Sequence, residues 1–259
     1  MIKKIKKKIK KHLPVLVFFF LLILVWEFAV VFFDIESWIL PSPLEIIREI
    51  FLTRELLLRH SLRTLFESIL GLIISSIAGI ITGVVIFHFD ILKQTFYPLL
   101  VISQTVPIVI LIPLLVIWFG FGILPKILIV ILACFFPAAV NTIDGLSTAD
   151  RDMISLLKSM GATNWQIFTK VRVPAALPMI FSGMRISATY AVMAAVVAEW
   201  MGSDMGLGVF IVRSSNSYLT ARVFAGIVFI SLFSIMLFKS IDLLEKVFIP
   251  WKEQKREEI

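Results

Sequence analysis

An all-α integral membrane fold with six transmembrane helices is what this sequence predicts, and three observations carry that expectation. Of the 259 residues, 59% are hydrophobic and 17% charged, which is more apolar surface than a soluble domain of this length has interior to hide. Six runs reach the roughly 20 residues needed to cross a bilayer as a helix. The basic residues are also unevenly spread, crowding at the two ends and in one internal loop, the pattern expected where positive charge stays on the cytoplasmic side.

The first predicted span is Leu13 to Phe33. It follows a basic stretch, as a secretion signal would. Its 21 residues exceed a signal core, and Asp34-Ile35-Glu36 follows with no small-residue cleavage pattern, so it reads as a retained helix. The other spans are Thr64 to Phe87, Tyr97 to Trp118, Leu124 to Ile143, Leu177 to Trp200 and Val223 to Leu243. Between the first two, Pro41-Ser42-Pro43 precedes Leu44, Ile47, Ile50 and Phe51 at helical spacing. This predicts an amphipathic surface helix, either a packing element or part of a gate. With the N-terminus inside, the four inner segments hold 17 of the 25 Lys and Arg. Both termini are therefore expected in the cytoplasm of a bacterial cell, in a multi-pass inner-membrane protein.

The composition also excludes function classes. The net charge of +7 owes much to Lys3, Lys4, Lys6, Lys7, Lys8, Lys10 and Lys11. Beside an apolar run, such a cluster meets anionic headgroups of the lipid bilayer rather than nucleic acid. The lone Cys134 and the scattered His12, His60 and His88 offer no metal-ligand spacing, so no metal site is expected. No catalytic cluster is expected either: Gly202-Ser203-Asp204 is the nearest candidate and reads as a turn.

Two stripes of small residues predict close helix packing. Gly71, Ser75, Gly79 and Gly83 recur every four residues in the second span, and Gly183, Ser187, Ala191 and Ala195 do so in the fifth. In lipid, such faces let backbones approach, so these two helices are expected at the centre. The third span carries Gln104, Thr105 and Pro107, then Pro113; the prolines can kink it and free carbonyls toward a cavity. Gln104, Thr105, Arg185, Tyr190 and Glu199 are the candidate substrate-pathway residues, because polar groups in hydrocarbon need a partner or water. Structural pairing is the other reading of Arg185 and Glu199. A largely apolar cavity with Gln104, Tyr190 and Arg185 nearby suits a small polar aromatic or an anion.

The loop 145–178 is the most informative segment. Asp150 and Asp152 favour a helix start. Met153, Leu156, Leu157 and Met160 then form one apolar stripe, and Gly161 suits a left-handed turn after the helix. Thr163 or Asn164 can cap a second short helix, expected to run through Lys170 and stop before Pro174. An apolar stripe on a capped hairpin suits a groove on a partner protein; folding back on its own helix ends is the alternative.

Here the sequence resembles the permease subunits of binding-protein-dependent ABC importers. Their last large cytoplasmic loop carries Glu-Ala-Ala, three residues, Gly, nine residues, then Ile-x-Leu-Pro. Anchored on Gly161, this chain has Ser155-Leu156-Leu157 and Val171-Arg172-Val173-Pro174 at those places. Ser155 stands where the family has Glu, which removes that charged contact. Leu40-Pro41-Ser42-Pro43, Ser103-Gln104-Thr105-Val106-Pro107, Trp118-Phe119-Gly120, Ala198-Glu199-Trp200 and Gly206-Leu207-Gly208 resemble the branch importing nitrate, sulfonates, taurine, and thiamine-pyrimidine or riboflavin precursors. Within it, permeases for pyrimidine precursors of thiamine are the most similar.

The resemblance implies the type I ABC importer permease fold. It also implies a permease homodimer, two cytoplasmic ATP-binding subunits and an extracytoplasmic solute-binding protein. ATP and Mg would belong to the partner ATPase, since this chain has no phosphate-binding Gly-x-x-x-x-Gly-Lys-Ser/Thr loop and no cofactor of its own is expected. ATPase coupling falls to Met153, Leu156, Leu157, Met160, Gly161, Ala162, Thr163 and Pro174. The implied organisation is an N-terminal basic segment, first span and external helix (1–59), a permease core (60–248) and a cytoplasmic tail (249–259). A secondary transporter or channel is the alternative class; it would show an internal repeat or an ion-coupling carboxylate pair, and neither stands out in the sequence.

Overall fold

A computed structural model describes the backbone of residues 2–251 and the side chains of residues 13–251. The basic cluster at residues 3–11 and the tail from residue 252 on lie outside the described side chains. The described residues form helices and connecting turns. They are α1 (Ile2–Phe32), α2 (Pro43–Leu52), α3 (Arg54–His88), α4 (Asp90–Ser103), a 3-10 turn Ile108–Ile110 leading into α5 (Leu111–Phe119), α6 (Leu124–Ser147), α7 (Arg151–Ser159), α8 (Asn164–Ile167), α9 (Val173–Glu199), α10 (Leu207–Asn216) and α11 (Thr220–Phe248). Five stretches are long and apolar enough to cross a membrane: Leu13–Phe32, α3, α6, Asn164–Glu199 and α11. A sixth is the pair Asp90–Ser103 and Ile108–Phe119.

That sixth span, expected over Tyr97 to Trp118 with prolines able to kink it, is broken outright into two helices. Its halves meet at 84°. Thr105 and Val106 donate to Ile102 and Ser103 at the tighter 3-10 spacing, and Pro107 has no N–H to continue the ladder and restricts Val106 before it. Pro113 causes no break, because it lies in the first turn of α5, where a missing donor is tolerated.

The contacts divide the chain into two compact units. One gathers residues up to Leu58 with Phe210–Val228. In it, Ser42 caps α2 in a reciprocal box: its hydroxyl accepts from the Glu45 N–H, and the Glu45 carboxylate accepts from the Ser42 N–H. The surface helix predicted from Leu44 to Phe51 is therefore present, with Ile46 turned inward and Leu44, Ile47 and Phe51 exposed. Glu27 accepts from the Leu44 N–H at 3.1 Å, Glu49 holds Arg222 at 2.6 Å, and Trp26 packs on Phe224.

The second unit comprises Arg59–Val209 and residues from Phe229 on, and its centre is α6. Both small-residue stripes face this helix, so the central element is the fourth span rather than the second and fifth. A Cβ on Gly79 would lie 2.8 Å from the Ala138 Cβ and 2.9 Å from the Phe135 oxygen. One on Gly83 would lie 2.7 Å from the Thr142 Cβ, and one on Gly183 would lie 2.8 Å from the Pro137 oxygen. Between α6 and α9, the Ser187 hydroxyl donates to the Cys134 oxygen at 2.8 Å and the Cys134 thiol donates to the Ser187 oxygen at 3.2 Å. The lone cysteine is thus a small buried residue in a helix contact.

Filling this seam is expected to be costly. Gly79→Val and Gly183→Val should each lower stability by roughly 1–3 kcal/mol, the usual penalty for overpacking. Thermal unfolding of the purified protein in detergent would show this as a lower midpoint, while Leu62→Val on the exposed side of α3 should leave the midpoint unchanged.

Candidate functional site

Two features of the second unit stand out, a helical hairpin and a cavity. The hairpin begins where the Asp150 side chain accepts from the Asp152 N–H and caps α7. It turns at Gly161, whose φ of +83° favours a residue without a Cβ. The Ala162 N–H donates to the Leu157 oxygen and the Gly161 N–H to the Lys158 oxygen, the bond pair that closes a helix through a left-handed residue. Thr163 then caps α8, its hydroxyl accepting from the Gln166 N–H while the Gln166 side chain accepts from the Thr163 N–H.

The predicted apolar stripe splits between two surfaces. Leu157 and Ala162 pack inward against Ala149, Ile154, Ile167 and Val171. Met153, Leu156 and Met160 point outward, 51%, 60% and 73% exposed, and Trp165 joins them at 70%. The hairpin therefore both folds on itself and keeps an apolar outer face. Sequence reasoning passed over the inner seam and Trp165. The seam was readable as Ile154 and Leu157 at i, i+3 and Ile167 and Val171 at i, i+4.

The second helix of the hairpin does not stop before Pro174. Asn164–Glu199 is one 36-residue run, with a π-helical turn at Phe168–Arg172. The wider turn lets the chain pass Pro174, which lacks the N–H that the Lys170 carbonyl would otherwise receive. The hairpin base is held by Arg172, which donates to the Leu146 oxygen and lies over the Phe87 ring, and by Phe168 against His88.

At the broken span, a cavity of about 600 Å3 lies among Gln104, Ile129, Phe136, Tyr190, Met193 and Val197, with Ser103 and Ile108 among its other walls. Of the five pathway residues expected from sequence, Gln104 and Tyr190 line it together. Thr105 sits at the break, but its hydroxyl donates to the Ile102 oxygen. Arg185 is paired with Glu245 and lies 3.6 Å from Asp242. Glu199 is fully buried; it accepts from the Thr64 hydroxyl at 2.6 Å and from the Gly208 N–H at 2.7 Å, which caps α10. Ser203 lies in the expected turn, its hydroxyl donating to the Met205 oxygen and accepting from Lys126. Phe136, Met193 and Val197 were not expected at the cavity, since apolar residues on membrane helices carry no distinguishing signal.

The family model described as "Binding-protein-dependent transport system inner membrane component" matches residues 71–252. The chain belongs to this family. It is the permease of an ABC importer, and its relatives are membrane transport subunits. This permease is similar to the formylaminopyrimidine transport permease protein ThiX of Halalkalibacterium halodurans, 38% identical, over 92% of this chain and 95% of the relative. It is similar to the riboflavin transport system permease protein RibX of Chloroflexus aurantiacus, 31% identical, over 90% and 87%. The taurine transport system permease protein TauC of Escherichia coli is 29% identical over 89% and 86%. Among solved structures, an inward-facing MetNI methionine ABC transporter matches with a TM-score of 0.66 at 20% identity, covering 75% of this chain and 97% of that chain. That likeness shows the type I importer permease fold.

The Arg185 pairing has a measurable consequence. Arg185→Met should lower the thermal stability of the permease by about 2–3 kcal/mol, because a partly buried charge pair is broken. The double variant Arg185→Met/Glu245→Met should recover part of that loss in the same unfolding assay.

Proposed function

We propose that this permease imports a thiamine pyrimidine precursor delivered by an extracytoplasmic solute-binding protein, using ATP hydrolysed by two cytoplasmic subunits that dock on the 150–163 hairpin. One observation carries the coupling part. The exposed Met153, Leu156 and Met160 sit at the end of a capped hairpin whose second helix continues without interruption into α9. That 36-residue run extends about 54 Å at the rise of an α-helix, and its far half carries Tyr190, Met193 and Val197 of the cavity wall. A displacement imposed at the tip therefore reaches the cavity through one rigid element.

In this reading, Met153, Leu156 and Met160 enter an apolar groove on the ATPase. Leu157, Ala162 and Thr163 keep the tip folded, Gly161 makes its turn, and Pro174 lies on the lever. ATP binding would favour one arrangement of the paired permeases over another through differential contact at this tip. ATP and its magnesium ion would be held by the partners. Both termini lie in the cytoplasm, and two copies of this chain form the membrane part, with residues 60–248 as the working core. The substrate assignment draws support from the 38% identity to the formylaminopyrimidine permease; riboflavin, sulfonates, taurine and nitrate are the alternatives.

Gly161→Val places a β-branched residue at a φ of +83° in the docking tip. It is expected to abolish solute uptake by whole cells while leaving the protein in the membrane fraction. Leu156→Asp combined with Met160→Asp should reduce co-purification of the ATP-binding subunit at least tenfold. Normal uptake by both variants would remove the coupling role.

A further inference from the structure

The cavity carries information about the solute that the loop does not. Its walls are apolar apart from Ser103, Gln104 and Tyr190, and no Asp, Glu, Lys or Arg is among them. The charged groups of nearby helices are committed elsewhere: Arg185 to Glu245 and Asp242, and Glu199 to Thr64 and the start of α10. The Ser103 hydroxyl is bonded to the Leu100 oxygen. Among the described residues, the Gln104 side-chain carboxamide and the Tyr190 hydroxyl have no hydrogen-bond partner. Both are displayed on an open wall, Tyr190 being 44% exposed. The interrupted ladder after Ser103 leaves the carbonyls at 104–106 outside the helix as well, and irregular backbone at membrane depth is tolerated where it lines a cavity.

We propose that this cavity is a recognition site for an uncharged amino-heteroaromatic solute, with Gln104 and Tyr190 as its specificity-determining residues. The chemistry is complementary. A carboxamide presents one donor and one acceptor in a plane, and so does the edge of an aromatic ring bearing an amino group beside a ring nitrogen. The same match lets Gln or Asn read adenine with two hydrogen bonds. Tyr190 supplies a further donor, and Phe136 an aromatic surface for the ring to pack on. A volume of about 600 Å3 falls within the range of small-molecule pockets, roughly 300–1,000 Å3. An anion such as a sulfonate finds no countercharge here and would lose its hydration without compensation. Gln104 belongs to the Ser103–Pro107 stretch that resembles the whole branch, so what separates the branch's solutes here is the uncharged wall around it. This inference rests on the importer reading and narrows its substrate class.

The test uses the full-length permease in lipid nanodiscs with three probes: 4-amino-2-methylpyrimidine, 2-methylpyrimidine and taurine. The aminopyrimidine is expected to bind saturably, the ring without the amino group about tenfold more weakly, and taurine not at all. Gln104→Leu should bring the aminopyrimidine down to the level of the plain ring, and Tyr190→Phe should weaken both rings without abolishing their difference. Taurine binding as well as the aminopyrimidine, an unchanged affinity in Gln104→Leu, or no saturable binding up to roughly 10 mM would each overturn the proposal. Uptake by cells is measured alongside. Intact aminopyrimidine uptake without binding at Gln104 rejects the cavity and leaves the importer reading standing. Binding that depends on Gln104 in a wild-type protein that imports no pyrimidine rejects the importer reading instead.

Discussion

Lipid tails solvate a leucine as well as another helix does, so membrane helices associate where their backbones can come close enough for dispersion contacts to accumulate. In this permease that condition is met along α6. Glycines of α3 close on it from one direction and Gly183 of α9 from another, each at a separation that a methyl group would violate. The reciprocal bonds between Cys134 and Ser187 add direction to a contact that packing alone would leave free to slide. Everything described in the larger unit hangs from this seam. The cavity lies where α6 and α9 leave room beside the broken span, and the second helix of the hairpin is an extension of the same α9.

A rigid seam and a broken helix have complementary roles. The break at Gln104–Pro107 puts irregular backbone and the Gln104 carboxamide beside the cavity, while Asn164–Glu199 runs unbroken from the hairpin past the cavity wall. Polar groups at and around the cavity sort the same way. Arg185, Glu199 and Ser103 are satisfied within the chain and hold helices and turns in place. The Gln104 carboxamide and the Tyr190 hydroxyl line the cavity instead.

Much of this was legible in the sequence, and the physical reasons for the exceptions are specific. Span number, the surface helix after Ser42, the caps at Asp150 and Thr163 and the turn at Gly161 all follow from short-range rules, because each depends on residues within one or two turns of each other. The central place of α6 was not legible. Its small residues are not evenly spaced, and a stripe on α3 or α9 shows that something packs closely there without saying what. Arg185 and Glu199 illustrate the same limit. A charge in an apolar run announces that it has a partner, but Glu245 is 60 residues away along the chain, and only the fold brings it near. The continuation through Pro174 was missed because a proline ends a helix under α-geometry, and a π turn relaxes that rule.

That π turn at Phe168–Arg172 sets a phase. It amounts to one residue added to an otherwise regular helix, and each residue of an α-helix turns the chain by about 100°. The side of the rod that carries the tip is therefore offset by that angle from the side that carries the cavity wall. Excising a single residue between 168 and 172 would preserve the composition of both ends and still swing the outward-facing methionines to a different side of the helix axis. The spacing between Gly161 and Pro174 thus acts as an angular setting, and a partner shaped for one angle would meet the wrong surface at another.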